Sequence, residues 1–191
     1  MDSEHTVREV VDLIVELGLV DQSTAGQTVQ PDELDKPLSY YRDAPQQAVL
    51  SLLDHLGIRF AFDYKTFRGI EEADDDARLE WYEDVLQSIA SCSRGSVTIT
   101  NVRLVEDDEN WELQFDCNGE TEAWPVSPGD EDEDVEAAIT FATYLPGIPA
   151  DSLERFCSVD PPDVDLSGQA VFGDPEALNR LGAHFGLTFR A

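Results

Sequence analysis

Residues 111 to 126 read WELQFDCNGETEAWPV, and the fold can be built outward from them. Trp111, Leu113, Phe115 and Cys117 alternate with Glu112, Gln114 and Asp116, the period-two pattern of a strand with one apolar face. Asn118-Gly119 then supplies two residues that tolerate positive φ, as a tight type I′ turn requires. A two-residue turn fixes the register. Leu113 is placed opposite Trp124 and Trp111 opposite Val126, an aromatic and aliphatic cluster on one face. The preceding stretch SVTITNVRLVE (96–106) is expected to add a third strand. Its apolar positions change parity, from Val97 and Ile99 to Val102 and Leu104, which predicts a bulge near Asn101. The span 96–126 is thus read as a three-strand meander.

Helices are expected on both sides of it. Residues 71–90 carry Leu79, Tyr82, Val85, Leu86 and Ile89 at helical spacing, with Glu71, Glu72, Asp74, Asp75 and Asp76 crowding the start, where the helix dipole favours acids. Residues 131–145 carry Val135, Ala138, Ile139, Ala142 and Leu145 and end at Pro146. Strands near 154–159 and 169–173 follow.

Two stretches repeat one another: AVLSLLDHLGIRF (48–60) and EALNRLGAHFGLTF (176–189). Each reads as a helix closed by His, an apolar residue and Gly, then a strand. Asp43-x-x-Gln46 is expected to cap the first, and Asp174-Pro175-Glu176 to start the second. His55 and His184 match in position, and a His near a helix C-terminus needs no ligand to explain it. At the N-terminus, 6–18 opens with a Thr6-x-x-Glu9 capping box, sets Val7, Val10, Val11, Ile14 and Leu17 on one face, and stops at Gly18. From 21 to 42 no periodicity is visible, and an irregular connection packed on or wrapping the body is expected. The whole, 1–191, is read as one α+β domain with a mostly antiparallel sheet and helices packed on it.

In element order the run from 71 to 185, helix, three-strand meander, helix, two strands, helix, resembles the small acidic secretion-chaperone fold. The resemblance covers about three fifths of the chain, carries no motif, and implies a protein that binds another protein.

Charge dominates the composition: 41 Asp and Glu against 12 Lys and Arg, a net charge of -29. Such a field repels nucleic acid and anionic lipid and attracts basic proteins and cations. Only Lys36 and Lys65 are lysines, and the acids are spread along the chain, a composition also expected of a salt-adapted protein. No apolar run approaches the ~18 residues of a membrane span, and the first residues lack the basic start of a standard export signal. Cys92, Cys117 and Cys157 are odd in number and lie among apolar neighbours, as reduced core thiols do. A cytoplasmic protein is expected.

Candidate sites are carboxylate clusters. Asp130, Glu131, Asp132, Glu133 and Asp134 start the 131–145 helix but exceed what one cap needs, so they are candidates for docking a basic partner. Asp74, Asp75 and Asp76, Asp107, Asp108 and Glu109, and Tyr40 and Tyr41, taken as exposed aromatics, complete that list. Asp130, Asp132 and Asp134 have the start of a calcium-loop spacing, but Val135 stands at the turn position and no acid at the twelfth. A weak calcium candidate lies at 163–174: Asp163, Asp165, Ser167 and Asp174 at positions 1, 3, 5 and 12, Gly168 at the turn and Gln169 at position 7. Pro161-Pro162 leaves no room for an entering helix. No nucleophile elbow, phosphate loop, H-E-x-x-H or C-x-x-C occurs. The function expected is therefore non-enzymatic: an acidic protein-binding module, of the immunity-protein, antitoxin or secretion-chaperone kind, for a basic partner. The alternative is a salt-adapted housekeeping domain, calcium-stabilised or enzymatic, whose acidity serves solubility.

Overall fold

The computed structural model describes residues 5–62, 72–107, 110–128, 151–163, 166 and 168–191. In chain order these form α1 (Val7–Glu16), α2 (Gln22–Thr28), α3 (Pro31–Leu34), a 3-10 turn (Leu38–Tyr40), α4 (Pro45–His55) and β1 (Arg59–Phe62). Then come α5 (Asp75–Cys92), β2 (Ile99–Asp107), β3 (Asn110–Cys117), β4 (Glu120–Val126), β5 (Arg155–Asp160), β6 (Gly168–Gly173), α6 (Pro175–Gly182) and β7 (Thr188–Arg190). The class is α+β, with the strands in two sheets ordered β1-β6-β5-β7 and β2-β3-β4. The expected 131–145 helix lies outside the described residues.

The meander follows the reading of its sequence. Leu113 pairs with Trp124 and Trp111 with Val126, and Asn118 and Gly119 take φ of 51° and 87°. The register of β2 on β3 shifts between Thr100 and Arg103, and Asn101 sits there at φ 54°. Leu113, Phe115 and Cys117 are buried on one face. Asn118 does more than turn the chain. Its side-chain oxygen accepts from the amide and hydroxyl of Thr98, and its side-chain nitrogen donates to the Ser96 carbonyl, which ties the approach to β2 onto the hairpin.

The chain divides into two compact units, each assembled from separate segments. Unit 1 comprises 1–59, 153–162 and 171–191; unit 2 comprises 60–152 and 163–170. In unit 1, Val7, Val10, Val11 and Ile14 of α1 join Ala48, Val49, Leu52 and Leu53 of α4, Leu178 and Leu181 of α6, and Val171 and Phe189 in one apolar core. Thr6 caps α1 with the complete capping box to Glu9. In unit 2, Tyr82, Val85, Leu86 and Ile89 of α5 are buried, and the Gln87 side-chain amide donates to the Ile99 carbonyl at 2.9 Å, fastening α5 to β2.

Four expectations change. The 21–42 connection is not irregular: Asp21 caps α2 by accepting from the Thr24 amide, and a Gln30/Glu33 capping box starts α3. Only Ala25 and Val29 there point inward to full burial before Leu38, too few apolar residues to mark a period. Helix α4 is capped not by Asp43 but begins at Ala44 with Pro45 at its first position and no side-chain cap bond; proline presets φ and has no N–H to satisfy. Helix α5 starts at Asp75 rather than 71, because the Asp74 side chain accepts from the Ala77 amide and sets the boundary. Finally, α6 ends at Gly182, so His184 lies in the turn beyond it, whereas His55 is the last residue of α4.

Candidate functional site

Among the described residues the positions singled out for partner binding fall in three places, one in unit 1 and two in unit 2. In unit 1 the 3-10 turn presents Tyr40, which is 53% exposed. Its ring meets that of Tyr41 edge-on, with centroids 5.5 Å apart and planes at 85°. Tyr41 in turn lies 5.8 Å from the His55 ring, and His55 Nε2 is 3.2 Å from the Thr28 carbonyl oxygen. Tyr41 is not the exposed aromatic expected: it is half-buried, packed against the unit 1 core. Its hydroxyl is shut from solvent with no hydrogen-bond partner among the described residues. Burial first, then the Glu33 carboxylate, pushes its pKa up to about 12. Exposed Lys36 and Arg42 occupy the same segment, so this corner is not the most acidic part of the protein.

In unit 2 the start of α5 carries the acids. Asp74 is engaged as the N-cap, and Asp75 pairs with Arg78 at 3.4 Å within one helical turn. Asp76, Glu80, Glu83 and Asp84 are exposed and lie three or four residues apart, the spacing of side-by-side neighbours on a helix. Asp107 ends β2, paired in register with Asn110. Asp108, Glu109 and Asp130 to Asp134 lie outside the described residues.

The calcium candidate divides. Asp163 is half-buried, and Asp165 and Ser167 lie outside the described residues. Gly168 and Gln169 belong to strand β6, and the Asp174 side chain accepts from the Glu176 amide as the cap of α6. Among the described residues no three His, Cys, Asp or Glu side chains are grouped to hold a metal ion, and no helix is long and apolar enough to cross a membrane. All three cysteines are buried. Burial, with Asp174 second, pushes the Cys157 thiol up to about 11, away from reactivity.

The reading missed two polar arrangements. On the meander, the Asn101 side chain donates to Asp116 at 2.6 Å and the Thr121 hydroxyl to the other Asp116 oxygen at 2.7 Å. These bonds hold the Asp116 carboxyl below the usual range; the bulge at Asn101 was visible in the apolar parity, its partner was not. In unit 1, the Asn179 side chain accepts from the Phe189 amide and donates to the Phe189 and Pro175 carbonyls. No local pattern marks that residue.

No protein family, curated protein or solved structure matches the chain.

Proposed function

We propose that the protein is a non-enzymatic acidic module that binds a basic partner protein, in the manner of an immunity protein, an antitoxin or a secretion chaperone. One observation carries this reading: the surplus charge is concentrated. Unit 2 has 26 acids and 5 bases, a net of −21, while unit 1 has 15 acids and 7 bases, a net of −8. Among the described residues Ser93 is the only buried polar or charged residue, and Asp76, Glu80, Glu83 and Asp84 of α5 are exposed, where they contribute to the external field. A field of that kind speeds encounter with a polycation, and aromatic side chains supply the anchoring that charge does not. Tyr40 is the exposed aromatic available for that role in unit 1.

The test is titration calorimetry against the basic proteins encoded beside its own gene, at 0.05 and 0.5 M NaCl. Binding that weakens by about tenfold or more with salt, and again in Asp75→Asn/Asp76→Asn/Glu80→Gln, is expected of electrostatic association. Absence of binding at both salts removes the reading. The second reading is a salt-adapted domain without a polycationic partner, calcium-stabilised or enzymatic; the excess of acids in unit 1 as well as unit 2 favours it. A rise in melting temperature with calcium, reversed by chelator, would support its calcium form.

A further inference from the structure

The two units differ in more than total charge. On α5 the exposed acid Glu80 has Asp76, Glu83 and Asp84 as its i−4, i+3 and i+4 neighbours, an arrangement of like charges that destabilises a helix. On α1 the row Arg8, Asp12 and Glu16 holds one such acidic pair, Asp12 and Glu16, with a cation beside Asp12; Arg8 also reaches Asp35, 27 residues away, at 2.8 Å. Arg190 similarly joins Asp160, 30 residues distant, across β7 and β5. Two cations of unit 1 therefore link remote segments. In unit 2 Arg78 holds Asp75 on the same helical turn, and Arg103 donates to Gln114 across the meander at 2.8 Å.

Counting only described residues leaves the asymmetry in place: 15 acids against 3 bases in unit 2, and 13 against 7 in unit 1. Like charges at this density repel across the ~30 Å Debye length of 0.01 M salt, and are screened to within ~3 Å at 1 M. The repulsion opposes the compact state, because unfolding moves the charges apart. It acts on unit 2 far more than on unit 1.

We propose that the α5 and β2–β4 part of unit 2 is held folded by counter-charge from solution while unit 1 is not, so that ionic strength opens and closes that part below the global transition. This goes beyond the binding reading and needs no partner. Opening of one region below the global transition is the behaviour of a separate cooperative unit.

Hydrogen exchange of the intact chain, resolved by peptide, tests it. At 10 mM NaCl amides of α5 and β2 to β4 should exchange roughly tenfold or more faster than at 1 M, while amides of α1, α4, β5 and α6 change less than about threefold. Equal acceleration in both units, or no acceleration in unit 2, overturns the proposal. Glu80→Gln/Glu83→Gln/Asp84→Asn should slow unit 2 exchange at 10 mM and leave it unchanged at 1 M. The matched triple in unit 1, Asp12→Asn/Glu16→Gln/Asp54→Asn, should leave unit 2 exchange as in wild type. If the two triples act alike on unit 2, local repulsion is not the cause and the proposal falls.

Discussion

Unit 1 and unit 2 meet the same physical demand in different ways. Each buries a full apolar face: α1, α4 and α6 over one core, α5 and the meander over the other. Unit 1 also puts its polar side chains to work on the backbone. Asp21 and Asp174 cap helices, Asn179 closes β7, and two arginines bridge remote segments. Unit 2 has cross-ties of its own at Asn118 and Asp116, yet carries a charge of −21 against −8. Apolar pattern thus fixes where each core lies, and charge decides under what conditions it persists.

The largest expected effect would break the comparison outright. Leu86 in α5 and Leu53 in α4 are both 0% exposed, so truncating either to Ala should cost about 2–5 kcal/mol. If the units are separately cooperative, Leu86→Ala lowers protection in α5 and the meander while α1 and α4 keep theirs, and Leu53→Ala does the reverse. Urea unfolding followed by peptide-resolved exchange reads both. Loss of protection everywhere in each variant would show one cooperative body.

Next in size is Asn179→Leu. Phe189 stands opposite Val159 in the β5–β7 ladder, and its amide and carbonyl both bond the Asn179 side chain at 2.9 and 2.8 Å. The amide side chain thus takes the place of a further strand at the edge of the sheet. Leu leaves both main-chain groups without that partner, and because β7 is an edge strand that water can reach, the cost is about 1–3 kcal/mol in all. The urea midpoint of unit 1 should fall and that of unit 2 stay.

What the sequence disclosed follows from the range of the forces involved. The hairpin register, the bulge at Asn101, the Thr6 capping box and the helix stops at Gly18 and Gly57 depend on residues within a few positions of one another, and all were readable. The α2 and α3 helices were not, since the Asp21 cap and the Glu33 carboxylate on the Gln30 amide start them and apolar periodicity does not. Asn179 bonds Phe189 ten residues on, and Asn101 bonds Asp116 fifteen residues on; such pairs depend on where the chain returns. The candidate site was legible as charge alone. Tyr41 looked exposed beside Tyr40, because nothing local shows that one ring turns onto the core while the other turns outward.

A smaller effect sharpens the account of the meander. Asn101 sits at φ 54°, where asparagine is tolerated and alanine is strained by about 1 kcal/mol. Asn101→Ala should lower the unit 2 urea midpoint, and Asn101→Gly, free of that strain, should lower it less. The difference between the two variants isolates backbone conformation, since both lack the bond to Asp116. Equal midpoints would mean that the side-chain bond matters and the φ does not.

The smallest prediction concerns acid. Asp116 accepts from Asn101 and Thr121 in its ionised form, which holds its carboxyl below the usual range. A group whose folded pKa is depressed adds stability above its unfolded value, near ~3.9 for aspartate, and that stability is lost as pH falls through the lower folded value. The same acidification protonates the other carboxylates and relieves repulsion in unit 2, an effect of opposite sign. The urea midpoint of wild type alone therefore mixes the two. The difference between wild type and Asp116→Asn separates them, because the relief of repulsion is nearly common to both. That difference should be constant from pH 7 to pH 5 and shrink steadily as pH falls further. A carboxyl titration of Asp116 followed by NMR should have its midpoint below ~3.9. A midpoint at or above that value, with a difference that does not change with pH, would show that the two hydrogen bonds do not favour the ionised group, and the meander's polar network would then bear only on geometry.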